Sequence, residues 1–406
     1  MTDFDYGIIG GGPAGYTAGM LLAKQGKKVI LFEKDKLGGT CLNRGCIPTK
    51  ALLHSSELFY QMTTKENYGL KVDTSDFDFA SVAQRRDNIV EKIRKGLELA
   101  VKNSGVQVVY AEADIKNEHN ILADGISYSV NEIVLATGSK PREIKGLEFD
   151  HEFILSSDDV LKLDKLPKSV LIIGSGAIGI EWARIFSNFG VDVNIVELGE
   201  HLCPIADIEV SKRIERIFKQ RKIKFYLNDC VSEIQDKKVT LKNGTTIEPD
   251  FILSAVGRVP VSTNFECKKL GDISGEILLA HYAISQAKEF AEGTKFDKKL
   301  IPSVIYGEPE IAWVGMREQD CDDTYEKRML PITALGKSWC DDATEGFIKL
   351  ILKDGFIVGG HIVSKEASAM IQQLVVAIQN KISVDKLKEI CVAHPTYSEG
   401  LYEILG

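Results

Sequence analysis

The sequence predicts an α/β protein: two parallel-sheet units followed by a C-terminal unit of α+β type. Three observations carry this expectation. A strand, glycine turn, helix, strand pattern occurs twice. Each copy ends in a glutamate 23 positions after its first glycine. Residues 301–406 instead mix short apolar strands (Ser303-Val304-Ile305-Tyr306, Phe347-Ile348-Lys349-Leu350-Ile351) with a helical stretch over 366–380.

The first copy runs Tyr6-Gly7-Ile8-Ile9 into Gly10-Gly11-Gly12-Pro13-Ala14-Gly15 and ends at Val29-Ile30-Leu31-Phe32-Glu33. The second runs Val170-Leu171-Ile172-Ile173 into Gly174-Ser175-Gly176-Ala177-Ile178-Gly179 and ends at Val193-Asn194-Ile195-Val196-Glu197. In each, the first glycine (Gly10, Gly174) makes the tight turn. The second (Gly12, Gly176) lets the backbone approach a pyrophosphate, and the third (Gly15, Gly179) lets helix and strand pack closely. The pyrophosphate meets the positive helix N-terminus, and the terminal glutamate accepts from a ribose hydroxyl. A lone glycine turn would read as a flexible loop. The full context, present twice, reads as two Rossmann-like dinucleotide-binding units. Glu197 would repel a 2′-phosphate, and no Arg lies between it and Pro204, so NAD is expected over NADP.

Directly after the first unit comes Gly38-Gly39-Thr40-Cys41-Leu42-Asn43-Arg44-Gly45-Cys46-Ile47-Pro48-Thr49-Lys50. Two thiols this close make and break a disulfide, and a nucleotide cofactor beside them takes the electrons. The combination reads as a flavin-dependent dithiol/disulfide oxidoreductase. Pro48 suits the first turn of a helix continuing through Ala51-Leu52-Leu53, which places Cys46 at its N-terminus. The helix dipole and Lys50 would both lower the Cys46 thiol pKa. The rival readings are ordinary buried thiols, chance neighbours or half a zinc site, and no second Cys/His pair of suitable spacing follows. No metal site is expected.

Further along, residues 82–101 place Ile89, Val90, Ile93, Leu97, Ala100 and Val101 at helical spacing, with Lys and Arg on a solvated face. Short apolar runs over 106–137 suggest strands closing the first unit. Near the end stands His394-Pro395-Thr396-Tyr397-Ser398-Glu399. Thiol exchange needs a base of near-neutral pKa, and Glu399 would fix the imidazole tautomer. A histidine capping a helix that starts near Pro395 fits the same residues equally well. His54, His119, His151, His201 and His361 carry no recognisable constellation.

Composition narrows the classes. A chain of 406 residues implies two to three domains, and a net charge of −8 disfavours nucleic acid as the main partner. No apolar run is long enough to span a bilayer. Met1-Thr2-Asp3-Phe4-Asp5 enters a strand at once, leaving no room for a signal peptide, so a cytoplasmic location is expected. The eight cysteines are mostly scattered and form no disulfide framework. A disulfide at Cys41–Cys46 would then be catalytic, as cytosolic disulfides usually are.

Several spaced motifs together resemble the pyridine nucleotide–disulfide oxidoreductases, and within them the dihydrolipoamide dehydrogenase branch. They are both glycine turns, the Gly38–Lys50 segment, Ala136-Thr137-Gly138-Ser139, Val256-Gly257-Arg258-Val259-Pro260, Gly271-Asp272, Leu278-Leu279-Ala280-His281 and the His394–Glu399 segment. The resemblance covers nearly the whole chain. It implies FAD in the first unit, held by Gly10, Gly12, Gly15, Glu33, Gly39, Thr40, Lys50, Thr137, Gly138, Ser139 and Asp272. Ala113 would lie near the adenine, and Leu278 to His281 near the flavin. NAD would be lined by Gly174, Gly176, Gly179, Glu181, Glu197 and Gly257. Cys41 would meet substrate and Cys46 the flavin, with Lys50 paired to Glu181. His394, supported by Glu399, would be the base and would cross to a partner subunit, making a homodimer.

The implied organisation is an FAD-binding domain with the redox disulfide over 1–145, an NAD-binding domain over 146–265, a return to the FAD-binding region over 266–300, and a dimerisation domain over 301–406. The implied substrate is dihydrolipoamide carried on lipoyl domains of 2-oxoacid dehydrogenase or glycine-cleavage complexes, with neither nucleic acid nor membrane as partner. A glutathione-type NAD(P)H reductase is the rival, opposed by Glu197. Mercuric reductase is opposed by an ending, Leu401 to Gly406, without a second cysteine pair. A non-catalytic, shortened relative is the third alternative.

One departure from the family stands out. Only Val261 to Leu270 separate Pro260 from Gly271, roughly two dozen residues fewer than the family's strand pair and following strand require. Cys267-Lys268-Lys269-Leu270 do not read as a buried parallel strand. A true deletion would remove a core strand and misplace Asp272. An internal stretch missing from this sequence is the expectation favoured over a true deletion.

Overall fold

The computed structural model describes residues 2–64, 68–69, 77–261 and 265–406. Strand β1 (Phe4–Ile9) leads through helix α1 (Pro13–Lys24) to β2 (Val29–Phe32). All four residues of β2 are buried, because the strand is covered on both faces. The chain then forms α2 (Gly39–Arg44), α3 (Cys46–Thr64) and α4 (Phe79–Asn103), followed by β3 (Gln107–Val109), β4 (Ala113–Asn117), β5 (Asn120–Ala123) and β6 (Ile126–Leu135). Strands β3-β2-β1-β6 pair in parallel. The first half of β6 turns into an antiparallel ladder with β5, and β5 pairs with β4.

Asp78 caps α4 by accepting from the Ala80 and Ser81 amides. The helical reading of 82–101 holds, with two changes. Ile93 is exposed, and Arg86 is buried instead of lying on a solvated face. Its guanidinium makes paired hydrogen bonds of 2.8 and 3.0 Å to Asp87, which offset its burial.

After β7 (Ser139–Pro141) the second sheet begins. It contains β8 (Ile154–Leu155), β9 (Ser169–Ile173), α5 (Ala177–Asn188), β10 (Asp192–Val196), α6 (Ile208–Gln220) and β11 (Lys224–Tyr226). A small antiparallel sheet of β12 (Val231–Gln235), β13 (Lys238–Leu241) and β14 (Thr246–Ile247) precedes β15 (Phe251–Ser254). The order β11-β10-β9-β15-β8 is parallel throughout. The two glycine turns fold alike. A Cβ on Gly15 would stand 1.8 Å from the Gly10 oxygen, and one on Gly179 would stand 2.1 Å from the Gly174 oxygen. Only glycine lets each helix seat this close to its turn.

Strand β16 (Arg258–Pro260) pairs antiparallel with β7. The short stretch that follows departs from the expectation, though residues 262–264 lie outside the described residues. Lys268–Lys269 form a strand, β17, parallel to β6 at Val134 and Leu135. Both lysine side chains are exposed, and Leu270 supplies the buried anchor at 2% exposure. The lysines do not read as a buried strand because neither side chain is buried; only the backbone pairs, over two residues. The Leu270 amide donates to the Leu135 oxygen at 2.8 Å, and the Gly271 amide donates to Gln286 at 2.7 Å. Gln286 lies in α7 (Ala280–Glu292), which packs along α1. The sheet therefore closes, and Asp272 is delivered to its edge.

The C-terminal unit is an antiparallel sheet of β18 (Ser303–Ile305), β19 (Glu310–Gly315), β20 (Glu326–Pro331), β21 (Phe347–Lys353) and β22 (Phe356–Ser364), in the order β18-β19-β22-β21-β20. Helix α8 (Gly336–Cys340) precedes β21, while α9 (Ala367–Gln379), α10 (Val384–Lys388) and α11 (Gly400–Glu403) follow β22. Ala367, Met370, Ile371, Leu374 and Ala377 put the apolar stripe of α9 on the sheet. Buried polar contacts join this unit to the second one. Lys349 reaches Asp207 at 2.7 Å, and His361 donates to the Met316 oxygen at 2.8 Å, 3.8 Å from Asp207.

The anchor role of Leu270 is testable. Leu270→Ala should destabilise the protein by about 2–4 kcal/mol, read as a lower denaturant midpoint. A neutral effect would mean that β17 does not anchor the sheet.

Candidate active site

The thiols sit at a helix junction. Gly38, in the left-handed region at φ 102°, starts α2, and Gly45 ends it. Cys46 is the first residue of α3, as the position of Pro48 predicts. A Cβ on Gly39 would lie 2.7 Å from the Gly12 Cα. This contact presses the cysteine segment against the first glycine turn.

Cys41 and Cys46 are free thiols here, and Cys41 donates a hydrogen bond to the Cys46 sulfur. The pair titrates asymmetrically. Cys46 is brought down to about 7, first by the hydrogen bond from Cys41. Burial opposes this, and the Lys50 charge supports it. Cys41 is pushed well above the thiol range by the same hydrogen bond and then by burial. One sulfur is thus prepared as a thiolate and the other as its proton donor.

Lys50, one turn into α3, reaches Glu181 on α5 with contacts of 2.7 and 2.9 Å. Burial works against its charge, but the charge and hydrogen bonds of Glu181 outweigh it and hold the ammonium above its ordinary range. Its nitrogen also lies 4.7 Å from the centre of the Tyr306 ring, and the Tyr306 amide donates to Glu181 at 3.0 Å. Tyr306 was not among the sequence candidates. It joins the site across 125 positions, a separation that no local pattern reports.

Both nucleotide clefts are formed, and in the same way. The Gly11 amide donates to Glu33 Oε2 and the Asp35 amide to Glu33 Oε1, each at 2.8 Å. The Ser175 amide donates to Glu197 Oε2 and the Gly199 amide to Glu197 Oε1, again at 2.8 Å. Each carboxylate is oriented by backbone and keeps lone pairs for a ribose. Gly12 and Gly176 immediately precede α1 and α5, so neither helix start has a side-chain cap. A Cβ on Gly176 would meet nothing within 4 Å, and one on Gly12 only the Gly39 Cα at 3.8 Å. That is the space a pyrophosphate takes. Thr137 Oγ1 is buried beside the first turn without a partner among the described residues, and Gly138 and Gly257 border open space there. These features fit FAD at the first turn and NAD at the second.

Ser139 and Asp272 meet: the Ser139 hydroxyl donates to Asp272 at 2.6 Å, while Arg258 donates to the same hydroxyl at 2.9 Å. Ala113 opens β4 and is half-buried. Thr40 lies within α2 beside Cys41. Leu278 and Leu279 lead into α7, which Ala280 begins. His281 is turned to the C-terminal unit, where it donates to the Pro302 oxygen at 2.9 Å, and burial lowers its pKa.

His394 Nδ1 lies 3.0 Å from Glu399 Oε2. Glu399 is buried, whereas the His394 side chain is 77% exposed. The capping reading fails, because the next helix, α11, starts at Gly400 and not near Pro395. The imidazole is oriented by a buried carboxylate and is otherwise exposed. Among the described residues, no group of His, Cys, Asp and Glu could hold a metal ion.

The charge on the thiol pair has a measurable sign. In the reduced protein the Cys46 thiolate should be present above about pH 7 and lost as pH falls through that value. Lys50→Met should move the midpoint up by about 1–2 units, followed by ultraviolet thiolate absorbance. An unmoved midpoint would refute the role of Lys50.

Comparison with known proteins agrees with this geometry. Residues 4–284 match the pyridine nucleotide-disulphide oxidoreductase family, and residues 301–404 match that family's dimerisation domain. Dihydrolipoyl dehydrogenase of Chlamydia pneumoniae is 31% identical over 98% of this chain and 95% of the relative. The mitochondrial dihydrolipoyl dehydrogenase of Dictyostelium discoideum is 32% identical over 98% and 93%. The Chlamydia alignment runs over 439 positions against 406 residues here, so that relative carries positions this chain lacks. In fold, the chain is similar to LpdA from Mycobacterium tuberculosis, with a TM-score of 0.91 and 24% identity over 99% of both chains. It is also similar to the HOCl-induced flavoprotein disulfide reductase RclA from Escherichia coli, with a TM-score of 0.87 and 23% identity over 99% of both. With two clefts of one design, a thiol pair between them and matches along its length, the chain belongs to the pyridine nucleotide-disulphide oxidoreductase family.

Proposed function

We propose that this chain is a flavoprotein dihydrolipoamide dehydrogenase, oxidising dihydrolipoamide on lipoyl domains of 2-oxoacid dehydrogenase or glycine-cleavage complexes and reducing NAD⁺. The observation that carries the reading is the asymmetric thiol pair backed by Lys50–Glu181. Relatives named dihydrolipoyl dehydrogenase supply the substrate.

In the oxidised enzyme Cys41 and Cys46 share a disulfide. A substrate thiolate attacks the Cys41 sulfur, and Cys46 departs as a thiolate held by Lys50. The second substrate thiol then attacks the substrate sulfur joined to Cys41. The substrate leaves as a cyclic disulfide, and the enzyme keeps both electrons as a dithiol. Each attack needs a proton removed from a substrate thiol. His394 Nε2 is the base, with Nδ1–H fixed on Glu399. FAD, when bound, supplies acceptance of the electron pair from the Cys46 side and its transfer as hydride to NAD⁺. Glu33 and Glu197 would hold the two riboses, and the N-termini of α1 and α5 the pyrophosphates.

The exposed His394 suits a site shared between two copies, paired through the C-terminal unit that matches the dimerisation domain. Each copy's His394 would then serve the other copy's Cys41.

Cys46→Ser should lose dihydrolipoamide-dependent NAD⁺ reduction by at least about a thousandfold; full turnover would sink the proposal. The wild type should oxidise dihydrolipoamide and ignore glutathione with NADPH. Unfolding and refolding Cys41→Ser and His394→Gln chains together should restore about a quarter of wild-type activity, since half the dimers are mixed and each has one intact site. No recovery would place both residues of a site in one chain.

A further inference from the structure

The packing of α3 on α5 continues past the catalytic ion pair. Glu57 lies seven residues after Lys50 on α3, and Arg184 three residues after Glu181 on α5. At those helical spacings each lies on the same side of its helix as its predecessor. Beside Glu57 and one turn past Arg184, Asn188 donates to the Ser56 hydroxyl at 3.0 Å. Polar contacts thus recur where these two otherwise apolar helices meet.

The second rung is unusual in its bonding. Arg184 is fully buried. Its Nη1 donates to the Pro309 oxygen at 2.6 Å and to the Tyr306 oxygen at 3.3 Å. Among the described residues its Nε and Nη2 have no partner, and neither has the buried Oε1 of Glu57. The neighbouring turn is shaped around the guanidinium: a Cβ on Gly307, at φ +142°, would stand 2.0 Å from Arg184 Nη1. A buried cation and a half-buried carboxyl thus sit behind Lys50–Glu181 with unused hydrogen-bonding capacity, an arrangement too costly for filler.

We propose that Glu57 is a positioning residue of the dithiol centre: with Arg184 it sets the charge behind the Lys50–Glu181 pair, and so how readily Cys46 holds a thiolate. This rests on the reading of Cys46 and Lys50 given above. Glu57 faces Arg184 from α5, Arg221 from the end of α6, and Glu308 and Glu310 from the segment entering β19. Burial pushes the Glu57 carboxyl up to about 7, against the pull of Arg184. Arg184 is lowered to about 10 by burial and then by Arg221. Glu57 therefore changes charge where the enzyme works. An ionised Glu57 opposes the thiolate, a neutral one favours it, and Arg184 favours it throughout.

The test is the pH titration of the Cys46 thiolate in the reduced holoenzyme, read by ultraviolet thiolate absorbance and by the long-wavelength thiolate–flavin band. The wild type should titrate more broadly than a single proton, because Glu57 ionises in the same range. Glu57→Gln, nearly isosteric, should sharpen the curve and lower its midpoint by about half a pH unit, the size expected for one charge across roughly 16 Å of helix. The shift should persist in high salt, since a buried group is poorly screened. Arg184→Met should move the midpoint the other way. If that variant does not fold, Glu57→Gln decides alone. An unmoved midpoint in Glu57→Gln, or a shift that salt abolishes, overturns the proposal. If the wild type itself shows no thiolate near neutrality, the reading of the redox centre fails instead.

Discussion

The Lys50–Glu181 ion pair is the contact on which the rest of the site depends. It is the only bridge, among the ion pairs of the described residues, between the helix that begins with a redox cysteine and the helix that begins at the second nucleotide turn. An ion pair with Glu181 buried and Lys50 only partly withdrawn from water is poor evidence of added stability, because desolvating the charges costs about what their attraction returns. Its value is positional. Lys50 is kept charged within reach of Cys46, and Glu181 is kept from standing as a lone negative charge near a thiolate. Tyr306 completes the arrangement from a third unit of the fold, with its ring under the ammonium and its amide on the carboxylate. The three units of the chain thereby meet at one charge.

Much of this was legible in the residues, and the reason is locality. The glycine turns, the terminal glutamates and the position of Cys46 at a helix start are set within stretches of one strand, turn and helix, and each obeys rules that act over a few residues. Glu33 and Glu197 even accept from amides at equivalent positions, 22 residues before and two after, which follows from equal spacing. What escaped was non-local. Tyr306 has no motif. Arg86 is the local exception: it pairs with the adjacent Asp87, and packing around α4 buries it. The capping alternative for His394 was settled only by where α11 begins. The buried placement of His361 depends on Met316 and Asp207, far from it in sequence.

The short connection before Gly271 shows the limit of reading patterns by burial alone. Two lysines contradicted a core strand, and by side chain they do lie outside. The backbone nevertheless pairs, and one leucine after them does the anchoring. A strand is defined by its ladder, and its side chains follow whichever faces are covered.

That connection also carries a consequence for the order in which the molecule is made. Strand β17 reaches β6 only after the entire second sheet has been threaded between them, more than 130 residues later. As the chain emerges during synthesis, the first sheet therefore has an open border along Val134 and Leu135 until the second has appeared. An open border of this kind recruits strands from other chains. Pairings so distant in sequence also form slowly. Closing that border with a stub of two ammonium-bearing residues leaves the finished edge short, charged and unattractive to a stray strand.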